Sequence, residues 1–188
     1  MYTARLLIIT LCCLCLPLAT AKNDFELQFE NFTCITNEQE NIFERLHCGL
    51  NKNVKRRTMH MEFSLLQPLR KHEFHIAIIM PRPTVNFVLL NLSMDGCQFL
   101  GNKNQVPLLR ISRSILDSYS NFPRQCPLEL GKAYYIRAFR LDLNLIPAVT
   151  METPVQMQFS YQRRQLKLMQ GFITARVQRT SNAKKKDA

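Results

Sequence analysis

Period-two alternation of apolar and polar residues recurs along most of this 188-residue chain, and it commits the chain to strands that bury one face and wet the other. Phe25, Leu27 and Phe29 alternate with Glu26, Gln28 and Glu30, and Met59, Met61, Phe63 and Leu65 with His60, Glu62 and Ser64. Phe74, Ile76 and Ile78 form a third apolar face, Val155, Met157, Phe159 and Tyr161 a fourth, and Ile173, Ala175 and Val177 a fifth. Further strands are expected around residues 85–92 and 134–143. Turn signals separate these runs at Gln67-Pro68, Pro81-Arg82-Pro83, Gly101-Asn102, Glu129-Leu130-Gly131 and Arg163-Arg164. So many short alternating runs predict a mainly β fold of two antiparallel sheets packed as a sandwich.

One segment keeps a different period. Leu108, Ile111, Ile115 and Tyr119 recur every three or four residues with Arg110, Arg113, Ser114 and Asp117 between them, so residues 106–120 predict one short amphipathic helix. Asn37-Glu38-Gln39-Glu40 has the form of a capping box ahead of Ile42 and Phe43, and equally that of a loop between two strands.

The first 21 residues read as a cleavable secretory signal: Arg5 in a short basic region, an apolar run from Leu6 to Leu18, and the small-residue pattern Ala19-Thr20-Ala21. That run is shorter than the roughly 20 apolar residues a bilayer needs. The expected organisation is a signal at 1–21, one sandwich domain at 22–180 and a basic, solvated tail at 181–188 carrying Lys184-Lys185-Lys186. After the leader the chain keeps Cys34, Cys48, Cys97 and Cys126, an even number in an oxidising compartment, so two disulfides are expected in preference to a thiol or zinc site. The net charge of +11 favours contact with anionic surfaces, and export makes nucleic acid an unexpected partner.

Two sequons, Asn31-Phe32-Thr33 and Asn91-Leu92-Ser93, mark candidate glycosylation sites. They conflict with the alternation. Asn31 would share a face with Phe25, Leu27 and Phe29, and Asn91 with Val85, Phe87 and Leu89, so each strand must switch phase, end early or leave its sequon unused, a bulge being the cheapest repair.

Catalytic signals are lacking. There is no Gly-x-Ser-x-Gly elbow and no phosphate-binding glycine loop, and the chain has only five glycines. His72 and His75 stand too badly for one metal and are expected at the surface near a turn; Asp95 and Glu129 are unpaired acids near cysteines. The expectation is a protein that is not an enzyme and carries no cofactor or metal. Apolar residues are plentiful on the strand faces, with adaptable methionines among them. Phe63, Phe74, Ile76, Ile78, Val88, Leu90, Met157 and Phe159 would line either a ligand pocket between the sheets or an ordinary closed core.

The ordered set Cys34, Cys48-Gly-Leu-Asn-Lys, Lys55-Arg56-Arg57, Leu65-Leu66-Gln67-Pro68, the run from Leu90 through Asp95-Gly96-Cys97-Gln98-Phe99-Leu100, and Tyr119-Ser120-Asn121 before Cys126-Pro127 resembles a large insect family of small secreted proteins. That family carries an uncharacterised domain and is similar to the CheB proteins and, more remotely, to the ML lipid-recognition and ganglioside-activator proteins. The resemblance implies an immunoglobulin-like sandwich whose sheets part to admit a lipid or other hydrophobic small molecule, a non-catalytic role, and, for the CheB branch, a chemosensory or pheromone-related setting. An anionic membrane surface or a receptor is the further partner expected. Leu128-Glu129-Leu130-Gly131 departs from the family's more aromatic stretch. Four cysteines allow three connectivities. Closure of the smallest loops, together with the Cys-bounded elements of the family pattern, points to Cys34–Cys48 and Cys97–Cys126. The rival expectation is a protein–protein interaction module with a closed core and no small ligand.

Overall fold

The structure, a computed structural model, describes residues 24–53, 57–101, 106–143 and 151–180, without the side chain of Leu108. The expected signal at 1–21, the tail at 181–188, and Lys55, Arg56 and Asn102 of the motifs above lie outside the described residues. In chain order the elements are β1 (Phe25–Thr36), β2 (Phe43–Leu50), β3 (Met59–Leu65), β4 (Glu73–Met80), β5 (Phe87–Asp95), α1 (Gly96–Leu100), α2 (Pro107–Asp117), β6 (Tyr134–Phe139), β7 (Thr153–Arg163) and β8 (Leu166–Arg179). They form a five-stranded sheet ordered β1-β8-β7-β4-β5 and a three-stranded sheet ordered β2-β3-β6. Every ladder is antiparallel. The fold is the expected mainly β sandwich with two disulfides. Among the described residues no helix is long and apolar enough to cross a membrane.

Alternation explains the core. Phe29, Met169, Ile173 and Ala175 from the larger sheet meet Met59, Met61, Phe63, Tyr134 and Ile136 from the smaller one, all buried. Phe63 packs edge-on to Phe43 and lies against Phe122 and Tyr134, with centroids 5.4–5.8 Å apart. Aromatic pairs of this kind add about 0.5–1.5 kcal/mol beyond the area they bury.

The disulfides are Cys34–Cys48 and Cys97–Cys126. The first ties β1 to β2 and so staples the two sheets together. The second ties α1 to the loop after α2.

Both strands that carry sequons change phase. Between Phe29 and Asn31 the β1 register shifts by one residue, which turns Asn31 outward and brings Phe32 into the core. In β5 the shift falls at Leu89: Ile78 pairs with Leu90 but Ile79 with Val88, and Asn91 ends exposed opposite Ala77.

One local expectation left open is decided, and two are corrected. The 37–40 segment is a turn, with Asn37 Oδ1 accepting from the Gln39 amide at 3.1 Å, and it leads into a strand, β2, that the alternation did not announce. A register shift between Phe43 and Arg45 breaks the period there. Helix α2 forms where expected but buries Leu109 and Arg113, leaving Ile111 exposed. The reason is Arg113 itself: its guanidinium donates to the carbonyls of Leu100, Phe122 and Pro123 at 3.0–3.2 Å and pairs with Asp117 at 2.9 Å. Burial lowers its pKa, against the pull of Asp117. Finally, His72 is buried rather than at the surface.

Candidate functional site

A three-stranded sheet cannot cover a five-stranded one, so the far end of the larger sheet packs against other segments: Leu143, after β6, lies buried with Val155 and Val177 against Ile78, Met80 and Met157. The ladder sets two rows across the inner face of the larger sheet: Leu92, Ile76, Phe159 and Gly171 in one, Leu90, Ile78, Met157 and Ile173 in the other. Burial falls along each row. Gly171 and Ile173 on β8 are buried, whereas Phe159, Met157, Ile76, Ile78, Leu90 and Leu92 are only half-buried.

Gly171 places the boundary. A Cβ there would lie 2.2 Å from the Phe159 ring, so that ring rests on bare backbone and leans toward β8. From that position it reaches Phe32 at 6.2 Å and Phe74 at 6.3 Å, closing the aromatic core on one side. Phe74 in turn stacks on Phe99 of α1 at 5.4 Å. Beyond these rings lie the aliphatic side chains of β4 and β5.

Of the eight residues expected to line a pocket, the ladder brings Phe74, Ile76, Ile78, Leu90, Met157 and Phe159 onto this one face. Phe63 lies elsewhere, 1% exposed in the closed core. Val88 is 52% exposed, and its pairing with Ile79 across the bulge puts it on the opposite face. The same face also holds Leu92, Met94 and Met80, which alternation about Ile76 and Ile78 could have found. Two surface hollows, of about 360 and 490 Å³, lie away from it, one at the β1–β8 end by Ile35 and Met169 and one on the outer side of α2 by Ile111 and Ile115.

Beside this face sits a buried titratable pair. His72 precedes β4 and stacks on Tyr161 of β7, centroids 5.4 Å apart, with neither ring nitrogen hydrogen-bonded. Burial lowers its pKa to about 4, with Asp95 pulling the other way, so the imidazole is neutral. Burial likewise raises the pKa of Tyr161, which stays a phenol. His72, Cys97 and Cys126 offer ligand atoms within 4.8 Å of one another, but both sulfurs belong to the disulfide and neither is a thiolate.

The two acids noted near cysteines have structural work. Asp95 caps α1 by accepting from the Gln98 amide at 2.8 Å, and the exposed Glu129 lies 3.7 Å from Lys132.

Fold and site together define a disulfide-linked β-sandwich with an apolar, half-covered sheet end. The family described as "Protein of unknown function (DUF1091)" matches residues 74–157, a span that starts in β4 and ends in β7. A search of curated proteins finds no match.

Proposed function

We propose that this is a secreted, non-catalytic binding protein that shelters a lipid-like or otherwise hydrophobic ligand against the inner face of β4, β5 and β7. The observation that carries the proposal is the pair of aliphatic rows, Leu92–Ile76 and Leu90–Ile78–Met157, left half-buried where the smaller sheet stops. Each apolar Å² that a ligand and this face remove from water contributes roughly 25 cal/mol. The resemblance to CheB and ML lipid-recognition proteins supports the same reading, and with it a chemosensory setting. Two disulfides fit export to an oxidising compartment. Basic charge would draw the protein to an anionic headgroup or membrane.

Native mass spectrometry of protein purified from its own secretory pathway tests this, together with titration by fluorescent fatty acids, sterols and hydrocarbons. Bound apolar mass, and weaker uptake by Ile78→Phe with a stability loss smaller than the roughly 1–3 kcal/mol of overpacking a closed core, are expected. No uptake, with the full overpacking loss, would overturn the reading.

One observation favours the interaction-module alternative. Phe87 and Val88 on the edge strand β5 are about half exposed, and β5 pairs on one side only. A partner strand added there would make Phe87→Asp and Val88→Asp abolish partner capture while leaving lipid uptake intact.

A further inference from the structure

We propose that His47 and His60 form a surface site for a tetrahedral divalent transition-metal ion, with Zn²⁺ the ion that the geometry fits. The two residues lie on adjacent strands. In the β2–β3 ladder His47 is opposite Glu62 and His60 is opposite Gly49, so both imidazoles leave the outer face of the three-stranded sheet. Their rings stack with centroids 5.3 Å apart, and the two Nε2 atoms stand 3.4 Å from each other.

Two causes can bring the nitrogens this close. A hydrogen bond from one imidazole to the other would draw the nitrogens to about 2.7–3.2 Å. Two nitrogens bound at about 2.0–2.1 Å to one tetrahedral Zn²⁺ are held about 3.3 Å apart. Adjacent corners of a square plane would bring them to about 2.9 Å. The observed 3.4 Å lies beside the tetrahedral value and also within reach of an imidazole–imidazole hydrogen bond, and titration with Zn²⁺ separates the two.

Gly49 makes the arrangement feasible. A Cβ at that position would lie 3.1 Å from Nε2 and 3.2 Å from Cε1 of His60, so the His60 ring lies across bare backbone with its nitrogen directed at His47. Between His47 and Gly49, Cys48 is bridged to Cys34 on β1, which anchors the strand that carries half the site. Glu62, opposite His47 and two residues from His60 on the same face, does not stand within ligand distance of both imidazoles in the structure and would supply a third donor by turning from Arg137. Its pair with Arg137, at 3.2 Å, is more than half exposed on both sides and of the weak kind that a cation displaces. Water completes the tetrahedron. The site lies on the smaller sheet, apart from the apolar face, and does not depend on the proposed ligand.

The test is calorimetric titration of the full, tag-free, chelator-washed protein with Zn²⁺ near neutral pH, with zinc-edge absorption spectroscopy on the complex. One ion per chain is expected, bound through two imidazole nitrogens. His47→Gln and His60→Gln should each weaken it at least tenfold, and Glu62→Gln severalfold. His75→Gln, on the other sheet, should bind as the parent does. Circular dichroism checks that each surface variant keeps its fold. Absence of binding, or wild-type affinity in either His47→Gln or His60→Gln, would overturn the site; unchanged affinity in Glu62→Gln would remove the carboxylate from it.

Discussion

His72 shows how one buried side chain ties stability to pH. Its folded pKa, about 4, lies below the ordinary 6.5, so between those values the unfolded chain binds a proton that the folded chain refuses. Stability is therefore full above about pH 6.5 and is lost as pH falls toward 4. From pH 7 to pH 5 this one residue costs about 2 kcal/mol. Urea midpoints should reveal that loss in the parent and not in His72→Phe, which keeps a ring against Tyr161; equal pH dependence in both would refute it. Gly96 belongs to the same contact. A Cβ there would meet His72 Nε2 at 2.2 Å, and the Gly96 amide donates to the His72 carbonyl at 2.8 Å. Gly96→Ala should cost about 2–4 kcal/mol in chemical denaturation, because a core ring would have to move.

At the scale of elements, turns and bulges decide which residues face which way. The β7–β8 hairpin closes through Arg164 and Gln165 alone, with φ of 50° and 67°. Left-handed backbone costs an ordinary residue roughly 1–2 kcal/mol, and Asn-Gly is the pair that suits such a turn. Arg164→Asn with Gln165→Gly should raise stability by about 1–2 kcal/mol, read from the denaturation midpoint at unchanged m-value. The two bulges expose Asn31 and Asn91, and expression in an animal secretory system should give a protein that loses mass at both when treated with an N-glycan amidase. Helix α2 makes the opposite point about periodicity. Its apolar stripe was readable, but the inward face was chosen by a guanidinium satisfying three carbonyls at once, and Arg113→Met should cost about 2–4 kcal/mol by leaving them without donors.

For the whole molecule, the disulfides and the unequal sheets set the terms. Cys34–Cys48 spans 14 residues and Cys97–Cys126 spans 29, so chain entropy assigns them about 3.0 and 3.6 kcal/mol. Replacing both cysteines of a bridge by alanine should show those losses in equilibrium denaturation. The inequality of the sheets bears on the proposed ligand face. Five strands facing three leave the β4–β5 end of an apolar surface half covered, and no property of β4 or β5 taken singly would show it.

Alternation along each strand was enough to determine the two-sheet β class and the apolar faces of β1, β3, β4, β7 and β8, because a strand's side chains alternate regardless of what it packs against. The sequons conflicting with that alternation marked Asn31 and Asn91 as places where a strand changes phase, ends early or leaves its sequon unused, and the ladders decided for the phase change. Which strands lie side by side was decided only in three dimensions. Pairing across the ladders sent Phe63 into the closed core and Val88 to the outer face, turned α2 about Arg113, and brought His47 to His60. None of these follows from local period, since each depends on what the rest of the chain places opposite.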